Sequence, residues 1–163
     1  MKKTMTIIAM FVVLLLTVSA NTGGEFSVAE GIKAPHFEVK ASDGTTVSPS
    51  DMQGRFVIVN FWASRDAGSR MAANLYEQYV ESAGDERIGL VSVNFDDNQK
   101  LFREIVRRDG LKNESQFNVE PQCKSDIIRK YSLESGMKSY LLDRNGVIVA
   151  VNPTIEQIAL LTK

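Results

Sequence analysis

Two nearly continuous apolar, β-branched runs on either side of one amphipathic stretch constrain the fold of this chain most strongly. The first run covers residues 56–62 and the second covers residues 88–95. Nearly continuous apolar runs of this length are typical of strands that are buried on both faces, as in parallel sheets. Residues 68–82 carry apolar side chains at helical spacing: Met71, Ala72, Leu75, Tyr76, Tyr79 and Val80. The sequence therefore predicts two parallel strands joined by a crossover helix.

Two hairpins are predicted outside this unit. Alternating residues on either side of Ser42-Asp43-Gly44 indicate a short N-terminal hairpin. The segment Asp143-Arg144-Asn145-Gly146 lies between apolar runs 139–142 and 146–151 and indicates an antiparallel pair near the C-terminus. Because parallel and antiparallel pairs then share one sheet, the predicted fold class is α/β. It has a central mixed sheet with helices on both faces and an N-terminal β-hairpin extension.

Three further helices are expected to cover that sheet. Residues 99–108 have a helical apolar pattern, and Asp96 or Asp97 is the predicted cap at its start. A shorter helix is predicted around residues 124–130. The last helix is predicted to begin at Thr154, where Gln157 three residues later completes the pattern of a capping box.

The N-terminus has the pattern of an export signal. Met1-Lys2-Lys3 precedes an apolar run over residues 7–16, and Val18-Ser19-Ala20 resembles a signal-peptidase site. Residues 1–20 are therefore predicted to be a signal peptide, residues 21–33 a flexible lead-in, and residues 34–163 one domain. The expected location is the periplasm of a bacterial envelope. Contact with the membrane is expected only if the signal segment remains uncleaved.

Composition argues against several classes of function. Removal of the predicted signal peptide leaves 17 Lys and Arg against 20 Asp and Glu, which is a formal net charge of about −3. That balance disfavours a nucleic-acid binder, and Arg103, Arg107 and Arg108 are interpreted as a solvated helix face. No cluster of ligands has metal-binding spacing, and no Gly-rich phosphate loop is present in the sequence. We therefore expect neither a metal nor a cofactor.

Five motifs in order along residues 30–163 carry a resemblance to a known family. The chain resembles the TlpA/ResA-like thioredoxin-fold proteins, which overlap the AhpC/TSA group. The resemblance implies a thioredoxin-like three-layer fold. The motifs are Ala34-Pro35-His36-Phe37, Ser42-Asp43-Gly44, Phe61-Trp62-Ala63-Ser64, Tyr131-Ser132-Leu133 and Leu142-Asp143-Arg144-Asn145-Gly146.

The resemblance also shows where this chain departs from the family. Asp66 and Ser69 stand at the positions of the two cysteines of the family's Cys-x-x-Cys motif. Arg65 replaces the preceding tryptophan, and Met137 occupies the position of the cis-proline, where we expect a trans peptide. Neither a carboxylate nor a hydroxyl can exchange disulfides. Asp66 is instead predicted to cap the first long helix, and Ser69 to be a small polar residue of its first turn.

The leading hypothesis is therefore a non-catalytic binding or accessory protein whose partner is another envelope protein. The predicted partner surface includes the residues around the lost dithiol: Trp62, Arg65, Asp66, Arg70, Met137 and Lys138.

Two catalytic hypotheses are the alternatives. Cys123, the single cysteine, is expected just before the third helix and beside Lys124. It is the candidate for a thiol-disulfide oxidoreductase that acts alone or with a partner's thiol. A hydrolase would need His36, the single histidine, beside Ser69 and Asp66, and nothing in the sequence brings them together.

Overall fold

The computed structural model describes residues 28–41, 44–84 and 86–163. The predicted signal peptide, most of the lead-in, and Ser42 and Asp43 of the first hairpin turn lie outside these residues. The strands are β1 Val39–Lys40, β2 Thr46–Val47, β3 Phe56–Trp62, β4 Ile88–Asn94, β5 Gln116–Asn118, β6 Ser139–Leu142 and β7 Ile148–Val151. The helices are α1 Ala67–Ala83, α2 Gln99–Arg108, α3 Pro121–Lys130 and α4 Ile155–Leu161, with a 3-10 helix at Pro49–Met52.

A five-stranded mixed sheet forms the centre of the molecule, in the order β5-β4-β3-β6-β7. β3 and β4 are parallel over their full length, whereas β6 is antiparallel to both β3 and β7. β1 and β2 pair separately as the predicted N-terminal hairpin. The α/β class, the mixed sheet and both hairpins are therefore confirmed. The short edge strand β5 and the 3-10 helix are additions that the apolar pattern did not predict.

The two faces of β3 contribute to different apolar layers. Ile58 packs on one face with Tyr76 of α1 and Ile158 of α4. On the other face, Val59 belongs to a cluster that includes Ile127 of α3. This alternation follows from the two-residue period of a strand, and it places helices on both sides of the sheet as predicted.

The boundaries of two helices differ from the prediction. Asn98, rather than Asp96 or Asp97, caps α2, because its Oδ1 accepts hydrogen bonds from two backbone N–H groups of the first turn. α3 begins at Pro121, three residues earlier than expected, since proline is favoured at the first helical position. Cys123 therefore lies in the first turn of α3 and not before it.

The outer face of α1 and the N-terminal segment also depart from expectation. Met71 and Leu75 are 62% and 47% exposed, so the buried face of α1 is narrower than its apolar pattern predicts.

Residues 31–34 hydrogen-bond along β7, including Gly31 N–H to Ile148 O at 2.8 Å. Residues 31–34 therefore cover part of an edge of the sheet.

Candidate functional site

The start of α1 is fixed by hydrogen bonds between the two residues at the predicted dithiol positions. Oδ1 of Asp66 accepts from the backbone N–H of Ser69 at 2.9 Å. The Ser69 hydroxyl donates to the Asp66 carbonyl oxygen at 3.2 Å and accepts from the Ala63 N–H at 3.3 Å. The predicted cap is therefore confirmed. Both side chains turn back toward their own loop. Asp66 satisfies the Ser69 N–H, one of the groups that a helix start leaves unpaired, and Ser69 satisfies the Ala63 N–H before α1.

A second polar network holds the loop that leads into α1. The Asp96 carboxylate accepts from the backbone N–H of Ser64 at 3.1 Å, from the Ser64 hydroxyl, and from the Asn94 side-chain amide at 2.9 Å. Asn118 donates to Asn94 Oδ1 at 2.9 Å and to the Asp96 carbonyl oxygen at 3.0 Å. The network joins the carboxyl ends of β3, β4 and β5. Asp96 thus positions the loop before α1 rather than capping α2.

A groove with a volume of about 350 Å³ lies between the start of α1 and the loop that precedes β6. Asp66 and Ser69 line one side, and Met137 and Lys138 line the other. The structure therefore brings together four of the predicted site residues. Asn152, which follows β7, also lines the groove and was not predicted.

The floor of the groove is a hydrogen-bonded set of residues from distant parts of the chain. The Tyr76 hydroxyl lies 2.7 Å from the Ser139 hydroxyl and donates to the Pro153 carbonyl oxygen at 2.9 Å. Asn152 Oδ1 accepts from the Ser139 N–H at 2.8 Å. Burial raises the pKa of Tyr76, only partly offset by the Ser139 hydrogen bond, so the phenol stays neutral at physiological pH. Sequence reasoning missed these residues, because no local motif connects them.

The loop before β6 is held to the sheet by its backbone. The Lys138 carbonyl oxygen accepts from the Phe61 N–H at 3.0 Å, which extends the pairing of β3 and β6 by one step. Met137 and Lys138 are half-buried. No cis peptide bond occurs among the described residues, so the trans peptide expected at Met137 is confirmed.

The remaining residues of the predicted partner surface have different surroundings. Trp62 is completely buried and packs with Phe102 of α2, so its predicted place on a surface is wrong. Arg65 is exposed in the loop directly before α1 and does not line the groove. Arg70 donates two hydrogen bonds of 2.6 Å to the carboxylate of Asp109, and this pairing lowers the pKa of Asp109. The guanidinium of Arg70 is therefore held at the end of α2 and does not line the groove.

Cys123 is separated from the groove. It is half-buried in a cleft of about 100 Å³ that is also lined by Val39, Thr46 and Glu120. The neighbouring Lys124 ammonium donates to the Phe95 carbonyl oxygen at 2.8 Å and pairs with Asp97. Any reaction at this thiol would therefore take place outside the groove.

The residues of the hydrolase alternative are not brought together. His36 Nδ1 lies 3.4 Å from the hydroxyl of Ser48, and its Nε2 lies 3.4 Å from Glu38. It lines a different cleft from the one that contains Ser69. In the described part of the chain, no cluster of three or more His, Cys, Asp or Glu side chains is arranged to hold a metal ion. Nor is any helix there long and apolar enough to cross a membrane.

The molecule has a thioredoxin-like fold. Its mixed sheet has helices on both faces, and a long helix starts at the end of a central strand. A thioredoxin-like protein from Parabacteroides distasonis ATCC 8503 superposes with a TM-score of 0.71 at 32% identity, covering 83% of this chain and 95% of that one. The thioredoxin domain of a thiol-disulfide oxidoreductase from Bacteroides vulgatus has a TM-score of 0.74 at 21% identity, over 84% and 100% of the two chains, and supports the fold alone.

Family membership follows from the sequence comparisons. The chain belongs to the AhpC/TSA family, whose model matches residues 31–151. It is 30% identical to the thioredoxin-like protein YneN of Bacillus subtilis (strain 168), over 76% of this chain and 71% of that protein. It is 26% identical to the thiol-disulfide oxidoreductase ResA of Bacillus thuringiensis (strain Al Hakam), over 85% and 83%. These relatives confirm the resemblance to TlpA/ResA-like thioredoxin-fold proteins.

Proposed function

We propose that this protein is an exported, non-catalytic binding protein of the bacterial envelope that receives a segment of another envelope protein in its groove. The observation that carries the proposal is the start of α1. There Asp66 and Ser69 occupy the positions at which the resemblance places the redox cysteines, and both side chains are committed to the helix cap. The domain thus has the thioredoxin-like fold and the groove, whereas the Asp66 and Ser69 side chains stabilise the start of α1.

The family's dithiol reaction cannot take place at these two positions, because neither residue carries a thiol. A dithiol reduces a substrate disulfide by thiolate attack, and a second thiolate then releases the product as the protein disulfide forms. A carboxylate and a hydroxyl supply neither step. The chain's single cysteine cannot form an internal disulfide, and it lines a separate cleft.

The binding surface that we propose is smaller than the sequence prediction. It contains the groove walls and the exposed Arg65, and it excludes the buried Trp62. Arg70 also lies outside it, because a bidentate ion pair holds its guanidinium at Asp109. The groove offers charged and neutral polar groups beside the apolar Met137, which suits a partner segment with mixed polar and apolar side chains.

A second candidate is a thiol-disulfide oxidoreductase that acts through Cys123, alone or with a partner's thiol. The half-buried position of Cys123 in a small surface cleft and the names of the ResA relatives favour it. The two candidates differ in the surface that meets the partner. The binding protein uses the groove, whereas the enzyme would use the cleft beside β1 and β2.

Photo-crosslinking in the native host tests the proposal. A photoreactive amino acid replaces Met137 in the groove, and a matched variant carries it at Leu160, which is 65% exposed on α4. We expect a discrete protein adduct from position 137, absent from position 160, in the envelope fraction. Identical adducts from both positions, or recovery of the chain only in the cytoplasm, would contradict the proposal.

A further inference from the structure

The groove contains polar groups that no described residue satisfies. Asn60 is 1% exposed and its Nδ2 donates to Ser92 at 3.2 Å, yet its Oδ1 has no partner among the described residues. Asp66 uses only Oδ1 in the helix cap, which leaves Oδ2 without a partner in the same part of the chain. Both acceptor oxygens belong to residues that line the groove, so both remain available to a donor group that enters it.

Donors line the other side of the groove. The Lys138 ammonium has no protein partner within the described ranges. Asn152 uses its Oδ1 to accept from Ser139, so its Nδ2 donor group remains available. The groove thus has acceptors, including one negative charge, on the side of β3 and α1. It has donors, including one positive charge, on the side of the β6 loop and the end of β7.

From this arrangement we infer that the groove binds a small zwitterion with an ammonium and a carboxylate, such as a free α-amino acid or a dipeptide. The ammonium faces Asp66 Oδ2 and Asn60 Oδ1, and the carboxylate faces Lys138 and Asn152. A volume of about 350 Å³ is at the small end of ligand pockets, which fits a ligand of this size. The inference goes beyond the proposed function, because it assigns a small-molecule ligand to the same groove and stands without the partner protein.

Titration of the purified protein with glycine and with glycylglycine, followed by the backbone amide NMR shifts, tests the inference. We expect saturable shifts at Ser69, Ser139 and Asn152, and no saturable shifts with acetate or methylamine, each of which carries one end of the zwitterion. Tighter binding of glycine indicates a free amino acid, and tighter binding of glycylglycine indicates a dipeptide. Both results support the inference.

Two variants identify the donor side. Lys138→Met keeps the aliphatic stem and removes the charge, and we expect it to weaken binding about tenfold, since a charge-assisted hydrogen bond is lost. Asn152→Asp keeps the acceptor for the Ser139 N–H and replaces the Nδ2 donor with an oxygen, so it is expected to weaken binding as well. Lys100→Met, an exposed lysine on α2, is the matched control with unchanged affinity.

Absence of saturable shifts with either zwitterion, equal shifts with acetate alone, or unchanged affinity in both groove variants would overturn the inference. These results would not affect the crosslinking test. Crosslinking at position 137 requires a partner protein but no added amino acid. Conversely, loss of the crosslink together with saturable glycine shifts would remove the partner and retain the zwitterion site.

Discussion

Asp66 Oδ1 accepts a hydrogen bond of 2.9 Å from the Ser69 backbone N–H, which ties together the two residues at the predicted dithiol positions. A helix N-terminus stabilises a nearby negative charge, whether it is a thiolate or a carboxylate. The carboxylate of Asp66 is therefore compatible with the electrostatics of this position. Asp66 thus stabilises the helix start at a position where the family resemblance places a redox cysteine.

Removal of the Asp66 side chain should destabilise the domain modestly. Asp66→Ala removes the cap, and we expect a loss of about 1 kcal/mol in the free energy of unfolding. That corresponds to a fall of roughly 3 °C in the melting temperature for a domain of this size. Asp66→Ser, which can still cap, is the control and should lose less. An Asp66→Ala protein with the same melting temperature as the wild type would contradict the capping role.

Asp96 should matter for the loop before α1 more than for α2. Asp96→Ala removes the acceptor for the Ser64 N–H, the Ser64 hydroxyl and Asn94, so we expect a loss of about 2 kcal/mol in urea unfolding. The amide of Ser64 should also exchange faster with solvent. Asp97→Ala removes an exposed carboxylate that pairs with Lys124 and serves as the neighbouring control. Equal effects of the two substitutions would argue against a positioning role for Asp96.

The ion pair between Arg70 and Asp109 should make stability depend on pH in the acidic range. The Asp109 side chain is 10% exposed, and its pKa is lowered first by the Arg70 hydrogen bond. A carboxyl whose folded pKa is depressed contributes stability above its unfolded pKa of about 3.9, and that contribution is lost as pH falls through the folded value. Arg70→Met should therefore weaken the fall in stability below about pH 4. Parallel pH profiles for the variant and the wild type would contradict this expectation.

The single tryptophan reports on the core. Because Trp62 is completely buried, we expect its fluorescence to be blue-shifted relative to the unfolded chain and protected from iodide quenching. Its Nε1 has no hydrogen-bond partner in the described structure. Trp62→Phe should therefore lose packing without losing a hydrogen bond. Quenching as efficient as in the urea-unfolded protein would show that Trp62 is accessible after all.

The apolar periodicity predicted the elements with long, regular patterns. β3, β4 and α2 have continuous or periodic apolar residues, and the structure has them within a residue of the prediction. β5 was missed because two of its three residues are polar. Its Gln116 side chain is nevertheless buried, where it donates to Glu77 of α1 at 2.9 Å. A pattern based on hydrophobicity cannot identify a strand this short, in which a single apolar residue, Phe117, lies between two polar ones.

The candidate site was predicted only where a local motif marked it. The cap at Asp66 follows from residue type and helix position, so sequence alone was sufficient. The sequence also indicated the burial of Trp62, since the strand that contains it was itself predicted to be buried on both faces. The groove floor joins Tyr76, Ser139 and Asn152 across more than 70 residues of chain. Only the fold brings such residues together.

Reduction of insulin disulfides by the purified protein, with dithiothreitol as the electron donor, tests the central claim of a non-catalytic domain most directly. We predict the same rate for the wild type, the Cys123→Ser variant and the uncatalysed reaction. Conversion of both capping positions, by Asp66→Cys with Ser69→Cys, is the positive control and should raise the rate. Turnover by the wild type that is lost in Cys123→Ser would contradict the account and establish an enzyme that acts through that thiol.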